Sequence, residues 1–307
     1  MTESPVTRRD ALKTASVLFS ALLTPPIFID RRPHPPEGFE RTVKSEEAEL
    51  QRLIEKFGAA RTIPVFEYHG DNYDMYPGYN MNPDSFNKQM KWFKENEYHA
   101  VKGNELLKFL DGEKKLPARS IILTTDSGNT SMESMPRMIP VLKETGMHFL
   151  SFIWTKNMDH DETAKCSSNI CWDTFRKGVE SGVFTFGTHT ESHRRFDEIS
   201  PIDAVEDLKT SVQEIKDNIG VDPLFISWPH ESCPAYVDKL EEMGFKGGFG
   251  GNSARTIGEG YVEFGDPNKM RWCMPRLLPP NTAGVSGRPN GLKLNEIMEK
   301  YCNKLEE

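Results

Sequence analysis

Short apolar runs rich in β-branched and aromatic residues alternate along this chain with longer stretches whose apolar positions recur every three or four residues. The runs at 62–69, 120–125, 147–154, 183–187, 224–228 and 245–249 predict strands, and a further apolar stretch at 272–278 follows a glycine-rich loop at 247–260. The helical period predicts helices at 45–57, 82–96, 104–111, 132–145, 171–181, 201–219, 235–243 and 292–305; the helix at 201–219, for example, carries Val205, Leu208, Val212 and Ile215 on one face. The boundaries have local causes. Ser45 and the acids after it suit a helix N-terminus, Asn82-Pro83-Asp84 caps the next helix, and Gly58 and Gly146 suit helix C-termini. Strand and helix alternate about seven times, which predicts a parallel α/β architecture, either a barrel or a doubly wound sheet.

The N-terminus breaks this pattern. Thr7-Arg8-Arg9-Asp10 precedes a short apolar segment at 15–23 and then a proline-rich, charged stretch at 31–44. Paired arginines before a modest apolar stretch read as a twin-arginine targeting segment, with a basic-capped amphipathic helix as the alternative. No Ala-x-Ala cleavage site follows, which leaves retention as a membrane anchor open. The chain therefore divides into a targeting segment and linker at 1–40, an N-terminal helix region at 41–61 and a main domain at 62–307. The expected location is outside the cytoplasm: periplasm, cell surface or extracellular space.

Composition changes the picture only a little. Of 307 residues, 37% are hydrophobic and 27% charged, enough apolar material for a real core. No run approaches the ~18 apolar residues of a membrane span. A formal net charge of −8 argues against general nucleic-acid binding. Five cysteines leave at least one unpaired within the chain. Cys166 and Cys171 lie close together in a polar loop, so an exported chain could close a local disulfide there; reduced thiols are the alternative.

Candidate chemistry gathers where strands end. The run Ile121-Ile122-Leu123-Thr124-Thr125 stops at Asp126-Ser127-Gly128, which is how a buried parallel strand delivers polar groups at its C-terminal edge. A carboxylate there, beside a cation, stays ionised and can act as general base; capping the following turn is its structural alternative. His189 and His193, four apart after the strand at 183–187, would face the same way on a helical turn and could grip one metal. With eight histidines in the chain, a chance pair on a solvated loop is the competing reading. The glycine-rich loop lacks the Lys-Ser/Thr ending of a phosphate loop and reads as a flexible rim.

These stretches resemble the polysaccharide deacetylases of carbohydrate esterase family 4, the NodB-like family. Thr124-Thr125-Asp126-Ser127-Gly128 is similar to the family's T-F-D-D-G motif, and His189-Thr190-Glu191-Ser192-His193 matches its H-[ST]-x-x-H motif unchanged. Phe225-Ile226-Ser227-Trp228-Pro229-His230 resembles its aromatic-Pro-aromatic turn, and Val65-Phe66-Glu67-Tyr68-His69 with the two helices after it resembles the opening of exported members. The resemblance runs over roughly residues 60–280. It implies a distorted (β/α)7 barrel, with Asp126 as catalytic base and a divalent metal, often zinc, held by His189, His193 and the residue at Ser127. It also implies a turn at Trp228, Pro229 and His230 that binds substrate and lends a backbone N–H to the oxyanion.

Two departures stand out. Ser127 replaces a carboxylate, so the metal would rest on two histidines and water, or on another carboxylate such as Glu67 or Asp71, or be absent. No histidine follows His230, so the family's C-terminal general acid has no counterpart at Leu292-Lys293, leaving His69 or His230 for that role. The expected function is metal-dependent removal of N-acetyl or O-acetyl groups from an acetylated glycan. One alternative is a degenerate member that binds glycan without turnover, stacking sugars on Tyr73, Tyr76, Tyr79 or Trp228. The other is hydrolysis of a small non-peptide C–N amide.

Overall fold

The structure is a computed structural model. It describes residues 39–69, 81–127, 129–156, 168–234, 237–250, 260–267, 269–280 and 294–306, with the side chains of 39–44, 127, 129–133, 168–171 and 237 left aside. The targeting segment, Asp71, Tyr73, Tyr76, Tyr79, Cys166 and the tip of the glycine-rich loop lie outside the described residues, as do Leu292 and Lys293. So do the side chains of Ser127 and Cys171. Residues Glu46–Glu307 form one compact unit.

In chain order the elements are α1 (Phe39–Phe57), β1 (Thr62–Tyr68), α2 (Pro83–Glu95), β2 (His99–Ala100), α3 (Gly103–Leu110), β3 (Ser120–Ser127), α4 (Asn129–Thr145), β4 (Phe149–Ile153), α5 (Ser168–Ser181), β5 (Phe184–Thr188), α6 (Pro201–Ile219), β6 (Phe225–Ser227), a 3₁₀ turn (Pro229–Glu231), α7 (Val237–Glu242), β7 (Gly247–Phe249), β8 (Tyr261–Glu263) and α8 (Leu294–Tyr301). Among the described residues no helix is long and apolar enough to cross a membrane.

The helix boundaries follow from capping chemistry. Asn82 accepts a hydrogen bond from the Asp84 amide at 2.9 Å and Pro83 opens α2. Ser200 does the same for α6 through Asp203, and Gly220, at φ 70°, ends that helix in the left-handed region. The strands β1 and β4 are buried along their whole length, which explains their unbroken apolar sequence.

The sheet order is β7-β6-β5-β4-β3-β1-β8, with β2 added beside β3. From β1 to β7 every pairing is parallel. The segment 274–277 then closes the curve. Met274 exchanges hydrogen bonds with Gly248 and Gly250, and Leu277 with Val65 and Glu67, so one short stave bridges β7 to β1. The result is the distorted, mostly parallel (β/α)7 barrel that the resemblance implies. Its interior is packed by side chains such as Phe152, Phe225 and Phe249, while Phe66, Phe93 and Phe149 join the sheet to its outer helices.

Some elements depart from the sequence reading. Ser45, expected at a helix N-terminus, lies inside α1, which begins at Phe39. Residues 247–249, expected in part as a rim loop, are a buried strand. Glycine is required there because a Cβ on Gly248 would lie 2.4 Å from the Trp228 indole nitrogen. The antiparallel strand β8 and the two-residue β2 lack any apolar run of their own and were not legible in the pattern.

Candidate active site

The C-terminal ends of β1, β3, β5 and β6 meet at one edge of the barrel, and four of the residues singled out in the sequence, His69, Asp126, His189 and His230, stand at or just beyond those ends. Asp126 is buried near the end of β3. Its two carboxylate oxygens accept hydrogen bonds from Arg276 at 2.8 and 3.0 Å. The same guanidinium reaches Glu67, at the end of β1, at 2.8 Å, and its Nε donates to the Gly250 carbonyl. Arg276 is only 1% exposed. It sits on the closing stave, between the residues that bridge to β7 and β1, so barrel closure itself carries the cation into the site.

Burial of Asp126 favours its neutral form, but the Arg276 charge, with His189 and the Arg276 hydrogen bonds behind it, outweighs that and holds the carboxyl well below the usual carboxylate range. An ionised, oriented carboxylate is what a general base requires. Arg276 was missed by the sequence reading. The available signal was a lone charge inside the apolar stretch 272–278, Met274-Pro275-Arg276-Leu277-Leu278, where a buried ion needs a partner.

His189 follows β5. Its Nδ1 lies 2.8 Å from the Ser227 carbonyl, which can only accept, so Nδ1 carries the proton and Nε2 keeps its lone pair, 4.0 Å from Asp126 Oδ2. His193 comes alongside with ring centroids 4.8 Å apart. The expected helical turn is absent: 189–193 is a loop with Thr190 at φ 71° and His193 at φ 57°. Side chains hold that shape in place of helical hydrogen bonds. Thr188 Oγ1 accepts from the Thr190 amide and Thr190 Oγ1 from the His193 amide. Buried Asp207, on α6, accepts from the amides of Glu191 and Ser192 and from the Ser192 hydroxyl. The His193 ring also stacks on Trp154 at 4.3 Å. Burial, then the neighbouring His189, pushes the His193 pKa down to about 3, and burial likewise lowers that of His189. Both imidazoles are therefore neutral near pH 7, as metal ligation requires.

The turn after β6 places the other residues. Trp228 is wholly buried and donates its indole N–H to the Trp272 carbonyl at 2.8 Å. It is thus a wall residue, with no exposed face for stacking on a sugar. Pro229 is buried beneath the turn, while His230 is exposed, at φ 53°, with its ring 4.6 Å from that of His193. A disulfide, Cys233–Cys273, ties this turn to the chain just before Arg276. His69 is half-buried beyond β1, with Nε2 3.8 Å from Glu67 Oε1. Ser127 ends β3, and its side chain is not among those described.

Two donor sets could suit a metal. Among the described residues, Glu67, His69 and Asp126 form the group of three whose ligand atoms lie within 4.8 Å of one another. Arg276 already bridges its two carboxylates, and a second cation between them would face that buried charge. Among the described residues no cation is hydrogen-bonded to the ring nitrogens of His189 or His193, and imidazole nitrogens, that of His189 braced by the Ser227 carbonyl, suit zinc and similar divalent ions.

Comparison with known proteins agrees with this fold. The polysaccharide deacetylase family model matches residues 113–248, a span that contains Asp126, the histidine loop and His230 but not Glu67, His69 or Arg276. Among solved structures, the chain is similar to the Streptococcus pyogenes deacetylase PplD, determined in complex with acetate, with a TM-score of 0.62 at 16% identity over 79% of this chain and 99% of that one. It is also similar to IcaB from Ammonifex degensii (0.57, 20%, covering 72% and 92%). A de-N-acetylase from Aggregatibacter actinomycetemcomitans gives 0.57 at 19%, covering 73% and 97%. At these identities the shared property is the fold. No curated protein matches the chain in sequence. The family model spans 113–248, less than half of the chain, and with the shared fold it makes the chain similar to polysaccharide deacetylases.

Proposed function

We propose that this chain is an exported, metal-dependent hydrolase that removes N-acetyl, or O-acetyl, groups from a polysaccharide. The observation that carries the reading is Asp126, kept ionised and aimed by Arg276, with the Nε2 lone pair of His189 4.0 Å away. His189 and His193 would hold a divalent ion, most simply zinc. A bound ion would supply Lewis acidity, lowering the pKa of its water and polarising the acetyl carbonyl. Asp126 takes the proton from the attacking water. At the Trp228–Pro229–His230 turn, proline has no N–H and that of Trp228 is bonded to the Phe249 carbonyl, which leaves the His230 amide to face an oxyanion. His69 and His230 are the candidates for protonating the leaving amine. Substrate contact at this turn falls to the exposed His230, with Trp228 and Pro229 supporting it from below. Export accords with the disulfide among the described residues.

The test is acetate release from N-acetylglucosamine oligomers by the full chain, with and without added zinc. Asp126→Asn is expected to lower the rate by at least about 100-fold, the usual contribution of a general base. Unchanged release in that variant would defeat the proposal. A second reading, glycan binding without turnover, is favoured by one observation: Ser127 stands where the resemblance calls for a metal carboxylate. Binding of the same oligomers with no acetate released under any metal would select it.

A further inference from the structure

Three imidazoles, not two, stand side by side where β5 and β6 end at this edge of the barrel. His193 is edge-on to His189 on one side, at 4.8 Å and 70°, and to His230 on the other, at 4.6 Å and 72°. They come from neighbouring staves, β5 and β6, which pair at Thr188 and Ile226. Around a tetrahedral metal with nitrogens at ~2.1 Å, ring centroids lie ~3.2 Å from the ion and hence ~5 Å from each other. The two measured ring spacings are already close to that value.

The backbone is arranged to put His230 there. Both His230 and Glu231 occupy the left-handed region, at φ 53° and 59°, which costs non-glycine residues free energy and calls for a functional account. The turn is held by several independent ties. Ser232 Oγ accepts from the Phe196 amide and donates to the Pro229 carbonyl, the Trp228 indole is bonded to Trp272, and Cys233 is bonded to Cys273. This fixed turn carries an exposed imidazole into a site that has lost a carboxylate at Ser127.

We propose that His230 supplies the third protein ligand of the metal site, replacing the carboxylate lost at Ser127 and making a three-histidine centre with His189 and His193. Three histidines plus water is an established catalytic zinc set. As they stand, the three donor atoms do not converge as closely as those of Glu67, His69 and Asp126. The exposed His230 ring closes the set by rotation about its side-chain bonds. With His230 committed to the metal, protonation of the leaving group falls to His69. The inference rests on the two-histidine reading proposed above, and the test separates the two.

The experiment is titration of the full chain with Co²⁺, followed by visible absorption and by competition for affinity, in the wild type, His189→Ala, His193→Ala and His230→Ala. His230 is exposed, so its variant is expected to unfold at the wild-type midpoint, checked by thermal melting. The expected result is one Co²⁺ per chain with the intense visible bands of a tetrahedral site. In His230→Ala, affinity should fall at least about 100-fold and the bands should weaken and shift. If His189→Ala and His193→Ala abolish binding while His230→Ala keeps both affinity and spectrum, the third-ligand proposal fails and the two-histidine reading stands. If the wild type binds neither Co²⁺ nor Zn²⁺, both fail.

Discussion

Replacing Arg276 by methionine removes one cation from between two buried carboxylates while keeping much of the side-chain volume. The structure gives the size of the effect. Three contacts to carboxylates disappear, two to Asp126 at 2.8 and 3.0 Å and one to Glu67 at 2.8 Å, along with the Nε donation to the Gly250 carbonyl. At ~1.5–3 kcal/mol each the three would total ~5–9 kcal/mol if independent. They share one guanidinium, and the carboxylates can relax or take up protons, so the expected loss is the ~3–5 kcal/mol typical of breaking a buried ion pair. The assay is equilibrium urea unfolding of the full chain at pH 7, followed by tryptophan fluorescence. Glu67→Gln provides the internal check. In the Arg276→Met background it removes an uncompensated charge and should restore ~1–2 kcal/mol, whereas in the wild type it removes a partner and should destabilise. A loss below ~1 kcal/mol for Arg276→Met, or a Glu67→Gln effect of the same sign and size in both backgrounds, would refute the reading of Arg276, Asp126 and Glu67 as a coupled buried ion network.

Three other expectations can be checked on the same protein. Asp207→Asn weakens the acceptor that fixes the histidine loop and should cost ~2–3 kcal/mol while also lowering Co²⁺ affinity; a change under ~0.5 kcal/mol would mean the loop holds its own shape. The Cys233–Cys273 disulfide closes a 40-residue separation, so chain entropy assigns it at most ~4 kcal/mol, and the Cys233→Ser/Cys273→Ser variant should lose ~2–4 kcal/mol in urea unfolding, with no loss contradicting the pairing. His148, buried before β4 and bonded to the Thr185 hydroxyl at 2.8 Å, has its pKa pushed down to about 4 by burial and then by Lys102. The unfolded chain therefore binds the extra proton first. Stability should be full above pH ~6.5 and fall by ~3 kcal/mol as pH drops towards 4, and His148→Asn should flatten that slope. An unchanged slope would assign the acid sensitivity elsewhere.

What could be read from the sequence and what could not divide along a physical line. Local pattern was enough for the alternation of strands and helices, for the helix cap at Asn82, and for a carboxylate and two histidines at strand ends, because each is encoded within one turn or one strand. The left-handed loop that joins His189 to His193 was expected as a helix, since i, i+4 spacing does not reveal that Asp207, on the next helix, supplies the loop's hydrogen bonds. Trp228 read as an exposed platform, yet its N–H finds a carbonyl 44 residues away and its ring enters the core.

The sequence by itself determined a parallel α/β chain and the residue types that meet at its C-terminal edge. Only the tertiary structure decided what keeps Asp126 ionised, since Arg276 reaches it across 150 residues through a stave held by bridges to β7 and β1. It also decided that His230 stands against His193, because two adjacent strand ends bring their loops together. Periodicity reports which side of an element is buried. It carries no information on which distant side chain is buried against it, and a buried ion pair is defined by that partner alone.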